Sequence, residues 1–490
     1  MLGKHVNLIL ILIFFGIGAC STDTNQNRYD LLITNARIVD GSGADAFNGD
    51  ILVHNGLIEE IGTVDTTSRS FGRILNADGR AVSPGFIDTH SHGDPMETPR
   101  FDNFLSMGVT TISLGQDGSS PGTGNVSAWM DDVDAEGTGP NILHFIGHNS
   151  VRRFVDAPRE GDLDSALVAE MQQLISQAMA DGSFGLTTGL EYDHGSFADL
   201  EELISIAQPV ADANGVVMSH LRNEDEDAIA QSVAELVNQG LASGANVHAS
   251  HLKIVYGDDP QQAEDILSIM YDAREQEGLR VTADVYPYTA SYTGISIVFP
   301  DWALPPNNYD DVVENRRGEL EEYLNYRIAL RNGPKATLFG TDPYAGITLE
   351  EVADSLGKPF VDVLIDDIGP GGASAAYFVM DDEVMARFLI DPFVMVSSDG
   401  SPTMRHPRGY GSFAKIIHTY VMSEELLTLE QAIYKMSGLP AETLGLANRN
   451  SVDVPRGLIR EGFAADLLIF DPSSVNDTAT FENPHSFAEG

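Results

Sequence analysis

The chain has one cysteine, Cys20, in 490 residues. A single thiol excludes an intrachain disulfide and a multi-cysteine metal cage. Positive charge is scarce: 28 Lys and Arg face 73 Asp and Glu, a formal charge of -45. Such a surface repels phosphate backbones and anionic lipid, which argues against a nucleic-acid partner. Long apolar runs are missing except near the N-terminus, at 8–18. That run is too short for an ordinary membrane span. With 42% hydrophobic residues, the chain still has enough apolar side chain for a large core.

Lys4 before the apolar run and the polar stretch 21–27 after it give the form of an export leader. Its end, Ile17-Gly18-Ala19-Cys20, resembles a bacterial lipobox, in which the cysteine is acylated and becomes residue one. Ordinary signal cleavage beside an incidental cysteine is the plainer alternative. The lipobox reading makes 1–19 a signal peptide and 20–28 a tether. It places the protein in the bacterial cell envelope, held through lipid on Cys20 and in no other way by the membrane.

Residues 29–81 read as short strands with turn signals at Gly41, Gly43, Asn55 and Gly56. From residue 82 the rhythm becomes strand, loop, helix. Eight apolar runs stand out: 82–89, 110–115, 141–147, 184–189, 216–219, 246–250, 281–285 and 393–397. Helix-like stretches such as 167–179, 200–214, 228–240 and 260–278 separate most of them. This predicts an α/β fold, a (β/α)8 TIM barrel over 82–454, with a doubly wound sheet as the competitor. An insertion at about 292–338 interrupts the last two strands, where a lid or a structural embellishment fits equally. Short strands near 457–459 and 465–471 suggest that 455–490 pairs with 29–81 in a small discontinuous β-sandwich.

Each run hands over to reactive side chains: His90 and His92, Gln116 and Asp117, His148, Glu191 and Tyr192, His220, His251, Tyr286 and Tyr288, Asp399. A barrel gathers all eight ends at one face, where barrel active sites lie. His90 and His92 are two apart on an extended backbone, so both point to one side. Four histidines and an aspartate at strand ends suit a divalent ion such as zinc. Taken singly, each is equally a buried core histidine.

At this point the sequence resembles the D-aminoacylases (N-acyl-D-amino-acid deacylases) of the metal-dependent amidohydrolase superfamily. The matching segments are 84–92 (Pro-Gly-Phe-Ile-Asp-Thr-His-Ser-His), 185–192, 219–224, 250–253, 284–288 (Asp-Val-Tyr-Pro-Tyr), and 398–400 with 406–408. The resemblance implies hydrolysis of the amide of N-acyl-D-amino acids with one or two zinc ions. It implies one pocket from His90, His92 and Asp399 and a second around His220 and His251. Asp399 would be the general base, Arg408 the clamp on the substrate carboxylate, and Tyr192 and Tyr286 pocket walls. The family often has a metal-binding Cys in Gly-Asn-Cys-Gly; here the segment is Gly115-Gln116-Asp117-Gly118. Asp117 is therefore expected as a ligand, with Glu191 the alternative. Relatives usually continue through further sandwich strands, so an incomplete sandwich is expected at 490. Competing functions are a hydantoinase- or dihydroorotase-like cyclic-amide hydrolase, a D-residue dipeptidase, and a surface binding protein with a decayed site.

Overall fold

The computed structural model describes residues 28–159, 161, 163–448 and 452–490. Cys20 and the leader lie outside the described residues. Five strands come first: β1 (Arg28–Ile38), β2 (Phe47–His54), β3 (Leu57–Gly62), β4 (Ser70–Asn76) and β5 (Ala81–Pro84). Asn55 and Gly56, both with positive φ, join β2 to β3, the backbone that a two-residue hairpin requires. The eight barrel strands are β6 (Phe86–Asp88), β7 (Val109–Leu114), β8 (Asn141–Gly147), β9 (Gly185–Gly189), β10 (Val216–His220), β11 (Asn246–Ala249), β12 (Val281–Val285) and, later in the chain, Val394–Val396. Between the last two lie β13 (Ala290–Gly294), β14 (Thr337–Phe339) and β15 (Ser374–Phe378), so Val394–Val396 is β16 and Leu467–Phe470 is β17.

The barrel strands pair in parallel and in sequential order from β6 to β16. That order is a barrel's, and it removes the doubly wound alternative. The seam between first and last strands is stitched at the C-terminal end. There Asp399 N–H donates to His90 O at 2.8 Å and His92 N–H to Gly400 O at 2.7 Å. These two bonds bring the His-x-His pair against Asp399.

Helices outside the strands begin where the sequence offers side-chain caps. Asp164, Asp199, Asp259 and Asp381 each accept a backbone N–H at the start of Ser165–Ala180, Leu200–Asp212, Pro260–Glu277 and Asp382–Ile390. Gly244 and Gly278, at φ 78° and 71°, end Ile229–Ser243 and Pro260–Glu277. The apolar helix faces and barrel strands share one core that includes Met171, Ile206, Val233, Ile266 and Phe388.

Three features differ from the sequence reading; one is that 457–459 is no strand, only Leu467–Phe470 being one in that C-terminal segment. The run 82–89 is two strands, not one. β5 joins the outer sheet, in the order β17-β5-β1-β2-β3 with β4 on β1, and β6 starts the barrel. Gly85 is the pivot, with space for no more than hydrogen: a Cβ there would lie 2.1 Å from Thr110 Oγ1. β17 runs antiparallel to β5, so the two chain ends share one six-stranded sheet. The insertion also extends past 338. β13, β15 and β14 form their own antiparallel sheet, which packs with helix Tyr309–Leu330 around Ile295, Leu320, Leu324, Phe339 and Tyr377. The 374–378 strand is short and pairs only at long range, so no local periodicity marks it. Among the described residues no helix is long and apolar enough to cross a membrane.

Candidate active site

The barrel's C-terminal face opens into a cavity of about 520 Å3. His92, Asp117, Glu191, His220, His251 and Asp399 line it, with Tyr192, Tyr286 and Arg408. His90 lies behind them, completely buried.

Three of these residues have backbone that side chains rarely adopt. Asp117, His251 and Asp399 have φ of 53°, 36° and 48°. Left-handed backbone costs a non-glycine residue about 1–3 kcal/mol and persists only where surroundings over-determine it. At each, the chain turns sharply off a barrel strand and throws the side chain inward. For His251 the turn is held by its N–H donating to Asp284 Oδ1 at 2.6 Å. Asp284 is fully buried and also accepts from Thr89 Oγ1 at 2.6 Å and Ser397 Oγ at 3.0 Å. It thus ties β6, β11, β12 and β16 together beneath the site.

Asp117 is central. Its Oδ1 lies 3.3 Å from His90 Nε2, 3.5 Å from His220 Nδ1 and 3.3 Å from His251 Nε2. Its Oδ2 lies 3.5 Å from His92 Nε2. Asp399 Oδ1 is 3.2 Å from His92 Nε2 and 3.8 Å from His90 Nε2. The ligand atoms of His90, His92, Asp117 and Asp399 form one group, and those of Asp117, His220 and His251 a second, each within 4.8 Å. Asp117 belongs to both. Glu191 falls elsewhere: with His220 and Glu224 it makes a third group, and its Oε2 is 3.2 Å from His220 Nε2, the ring edge turned away from Asp117.

The donor set fits divalent metal. Among the described residues both His90 ring nitrogens are sealed from solvent without a hydrogen bond, which costs about 1–3 kcal/mol for a polar group left unpaired. A borderline-soft cation that takes imidazole and carboxylate answers that deficit. The electrostatics agree. Burial opposes ionisation of Asp117, yet the imidazoles of His90, His220 and His251 hold its carboxyl well below the usual range. Burial likewise opposes charge on His220, but Glu224, Asp117 and Glu191 outweigh it and push the imidazole up to about 10. Carboxylates that attract protons this strongly onto imidazole attract a dication by the same field.

Arg408 sits at the start of helix Arg408–Lys415, buried, with Nη1 2.9 Å from Asp399 Oδ2. Its guanidinium lies 4.6 Å over the Tyr286 ring, and its Nε has no partner among the described residues. Burial opposes the charge on Asp399, but Arg408 and His251 hold it well below the usual carboxylate range. Tyr286 leaves its hydroxyl unpaired. Tyr192 packs 4.5 Å from the His220 ring, and its hydroxyl is 3.5 Å from Thr293 Oγ1.

Two site residues had no role assigned from sequence. Lys253 Nζ donates to Glu224 Oε1 at 2.6 Å and lies 2.8 Å from His251 Nδ1. Glu224 Oε1 also lies 3.2 Å from His251 Nδ1 and can accept its N–H, which leaves Nε2 free to face Asp117. The signal was present: Lys253 is two residues past His251, and Glu224 four past His220. His148, a strand-end candidate, points away. Its Nε2 is 2.7 Å from Glu202 Oε1 on a surrounding helix.

No family model matches the chain. Known proteins do match. A D-aminoacylase of Alcaligenes xylosoxydans xylosoxydans is 30% identical over 494 residues, covering 96% of this chain and 93% of the relative. An N-acyl-D-glutamate deacylase of the same organism is 30% identical, covering 94% and 91%. The crystal structure of N-acyl-D-glutamate deacylase from Bordetella bronchiseptica, complexed with zinc and a phosphonate mimic of the tetrahedral intermediate, has a TM-score of 0.80 at 29% identity, with 94% of each chain covered. Two histidine pairs about one carboxylate, on a barrel this similar along nearly its whole length, place the chain in the D-aminoacylase (N-acyl-D-amino-acid deacylase) family of amidohydrolases.

Proposed function

We propose that this protein hydrolyses the amide bond of N-acyl-D-amino acids, releasing a carboxylate and a free D-amino acid. The observation that carries this reading is Asp117 between two histidine pairs, in one cavity with the Asp399–Arg408 pair. His90, His92, Asp117 and Asp399 would hold one divalent ion, and Asp117, His220 and His251 another. Zinc there would supply a Lewis acid and lower the pKa of water to about 7.

The chain's own groups do the rest. Arg408 presents an unpaired Nε on the same edge as Nη2, whose one contact among the described residues is Tyr292 O at 3.4 Å, while Nη1 faces Asp399. A planar fork of this kind takes a carboxylate in two parallel bonds. Docking of the substrate carboxylate would draw Arg408 away from Asp399. Asp399 then becomes a stronger base, able to take a proton from water and return it to the leaving amine. Tyr286 offers its free hydroxyl to the bound substrate, and Tyr192 keeps the His220 ring in place.

The test is a hydrolysis panel of N-acetyl-D- and N-acetyl-L-amino acids with zinc-reconstituted enzyme. D-substrates are expected to be cleaved and L-substrates not. Equal cleavage would remove the stereochemical reading. Amidation of the substrate's free carboxylate should lower kcat as well as raise KM, because Asp399 stays tied to Arg408.

We also infer that the leader 1–19 is removed and Cys20 lipidated, which anchors the enzyme at the cell envelope. The apolar run and lipobox-like end support this. Cys20→Ala should move the protein from membrane to soluble fractions; unchanged membrane association would refute it.

A further inference from the structure

We propose that Arg331 receives a second carboxylate on the substrate, so that the enzyme is selective for N-acyl-D-amino acids with two anionic groups. This rests on the deacylase reading above.

Arg331 follows helix Tyr309–Leu330 of the insertion and lines the same cavity as Arg408. Its residue surface is only 2% exposed. The cavity's other basic side chains are satisfied differently. Arg408 is 2.9 Å from Asp399, Lys253 is 2.6 Å from Glu224, and Arg153 is exposed and donates to Ser150 Oγ. Among the described residues Arg331 has neither a carboxylate within salt-bridge reach nor a side-chain hydrogen bond, and its Nε is sealed without a partner. The nearby acid, Asp225, is engaged by Arg327 at 3.0 Å.

What Arg331 does have is two aromatic faces, Tyr377 at 5.0 Å and Tyr256 at 5.9 Å. Cation–π contacts at these distances recover only part of what it costs to take a guanidinium out of water. The balance is left to something that enters the cavity, and a guanidinium facing a ligand space is matched by a carboxylate. Arg408, on the segment after the last barrel strand, is already matched to the carboxylate next to the scissile amide. Arg331, on the insertion, is then free for a second one. That group sits either on the amino-acid side chain or at the far end of the acyl group.

The experiment separates these sources with two isosteric pairs: N-acetyl-D-glutamate against N-acetyl-D-glutamine, and N-succinyl-D-alanine against N-succinamoyl-D-alanine, its terminal amide. Zinc-reconstituted wild type should favour the dianion of one pair by at least about 30-fold in kcat/KM. Arg331→Gln should abolish that preference through KM and leave the neutral partner within about 3-fold. Arg331→Lys keeps the charge over the two rings and loses the fork. It should lose about 10-fold on the dianion alone, and it carries the test should the glutamine variant misfold. No preference in either pair, or a preference that survives both substitutions, overturns the proposal. Cleavage of none of the four sinks the deacylase reading instead. Calorimetric binding of glutarate then decides for Arg331: at least 10-fold weakening in Arg331→Gln supports it, and unchanged affinity refutes it.

Discussion

At the residue scale, the side chain that organises the site is Asp117. It stands where the family resemblance leads one to expect cysteine, and it faces all four histidines. A carboxylate has two oxygens to divide between two ions, whereas a thiolate offers one softer sulfur. Asp117→Ala should therefore weaken zinc retention by at least about 100-fold, measured by metal analysis after dialysis against a graded chelator. Unchanged occupancy would shift the ligand role to Glu191. Asp399→Asn keeps the shape of the side chain and removes its basicity. It should lower kcat by about 1000-fold while leaving the circular dichroism spectrum unchanged. Near-normal turnover would dismiss Asp399 as the proton carrier. Lys253, Glu224 and Asp284 show why the residue list from sequence was incomplete. Their work is to aim His251, and although Lys253 and Glu224 lie close to ligand histidines in the chain, that spacing does not say which side chain they support.

At the scale of elements, the junction between β5 and β6 matters most. One continuous apolar run supplies both sheets, and Gly85 lets the chain pass from one to the other beside Thr110. Any Cβ at 85 must displace Thr110 Oγ1 and Cγ2, at 2.1 and 2.5 Å. Gly85→Ala should destabilise the fold by about 1–3 kcal/mol in denaturant unfolding. A smaller loss would mean that β6 can shift, and the His90–His92 geometry and zinc affinity would then suffer instead. The insertion is the second such element. Its sheet and helix have their own core, and Tyr292, Thr293 and Arg331 from it line the catalytic cavity. It is thus a wall of the site, with substrate selection as its natural task.

At the scale of the whole molecule, a chain with 73 acidic residues gains stability from protonation of surface carboxylates, so pH effects must be read as differences. His144 on β8 offers one. It is buried against Trp129, with Nδ1 2.7 Å from Ser183 Oγ. Burial lowers its pKa from 6.5 to about 4. Between those values the unfolded chain binds a proton that the folded one does not, so this residue makes stability fall as pH drops from 6.5 towards 4. The slope is at most about 1.4 kcal/mol per pH unit. His144→Asn should flatten the stability profile across that window relative to wild type, as read by urea unfolding at a series of pH values. Parallel profiles would show that His144 does not titrate there.

By itself the sequence determined the eight-strand rhythm, the strand-end histidines and Asp399. These are legible because apolar periodicity and strand-end polarity are local patterns. The barrel is nevertheless settled by a seam, His90 O to Asp399 N and Gly400 O to His92 N, that joins residues some 300 positions apart. Only the tertiary structure decided three things. It placed Asp117 between both histidine pairs and turned Glu191 to the far edge of His220. It carried the insertion to Phe378. It also left Arg331, which lines the cavity, without an ion-pair partner among the described residues. Each depends on which distant side chains meet in space, and the energy of a buried charge is set by those neighbours rather than by its place in the chain.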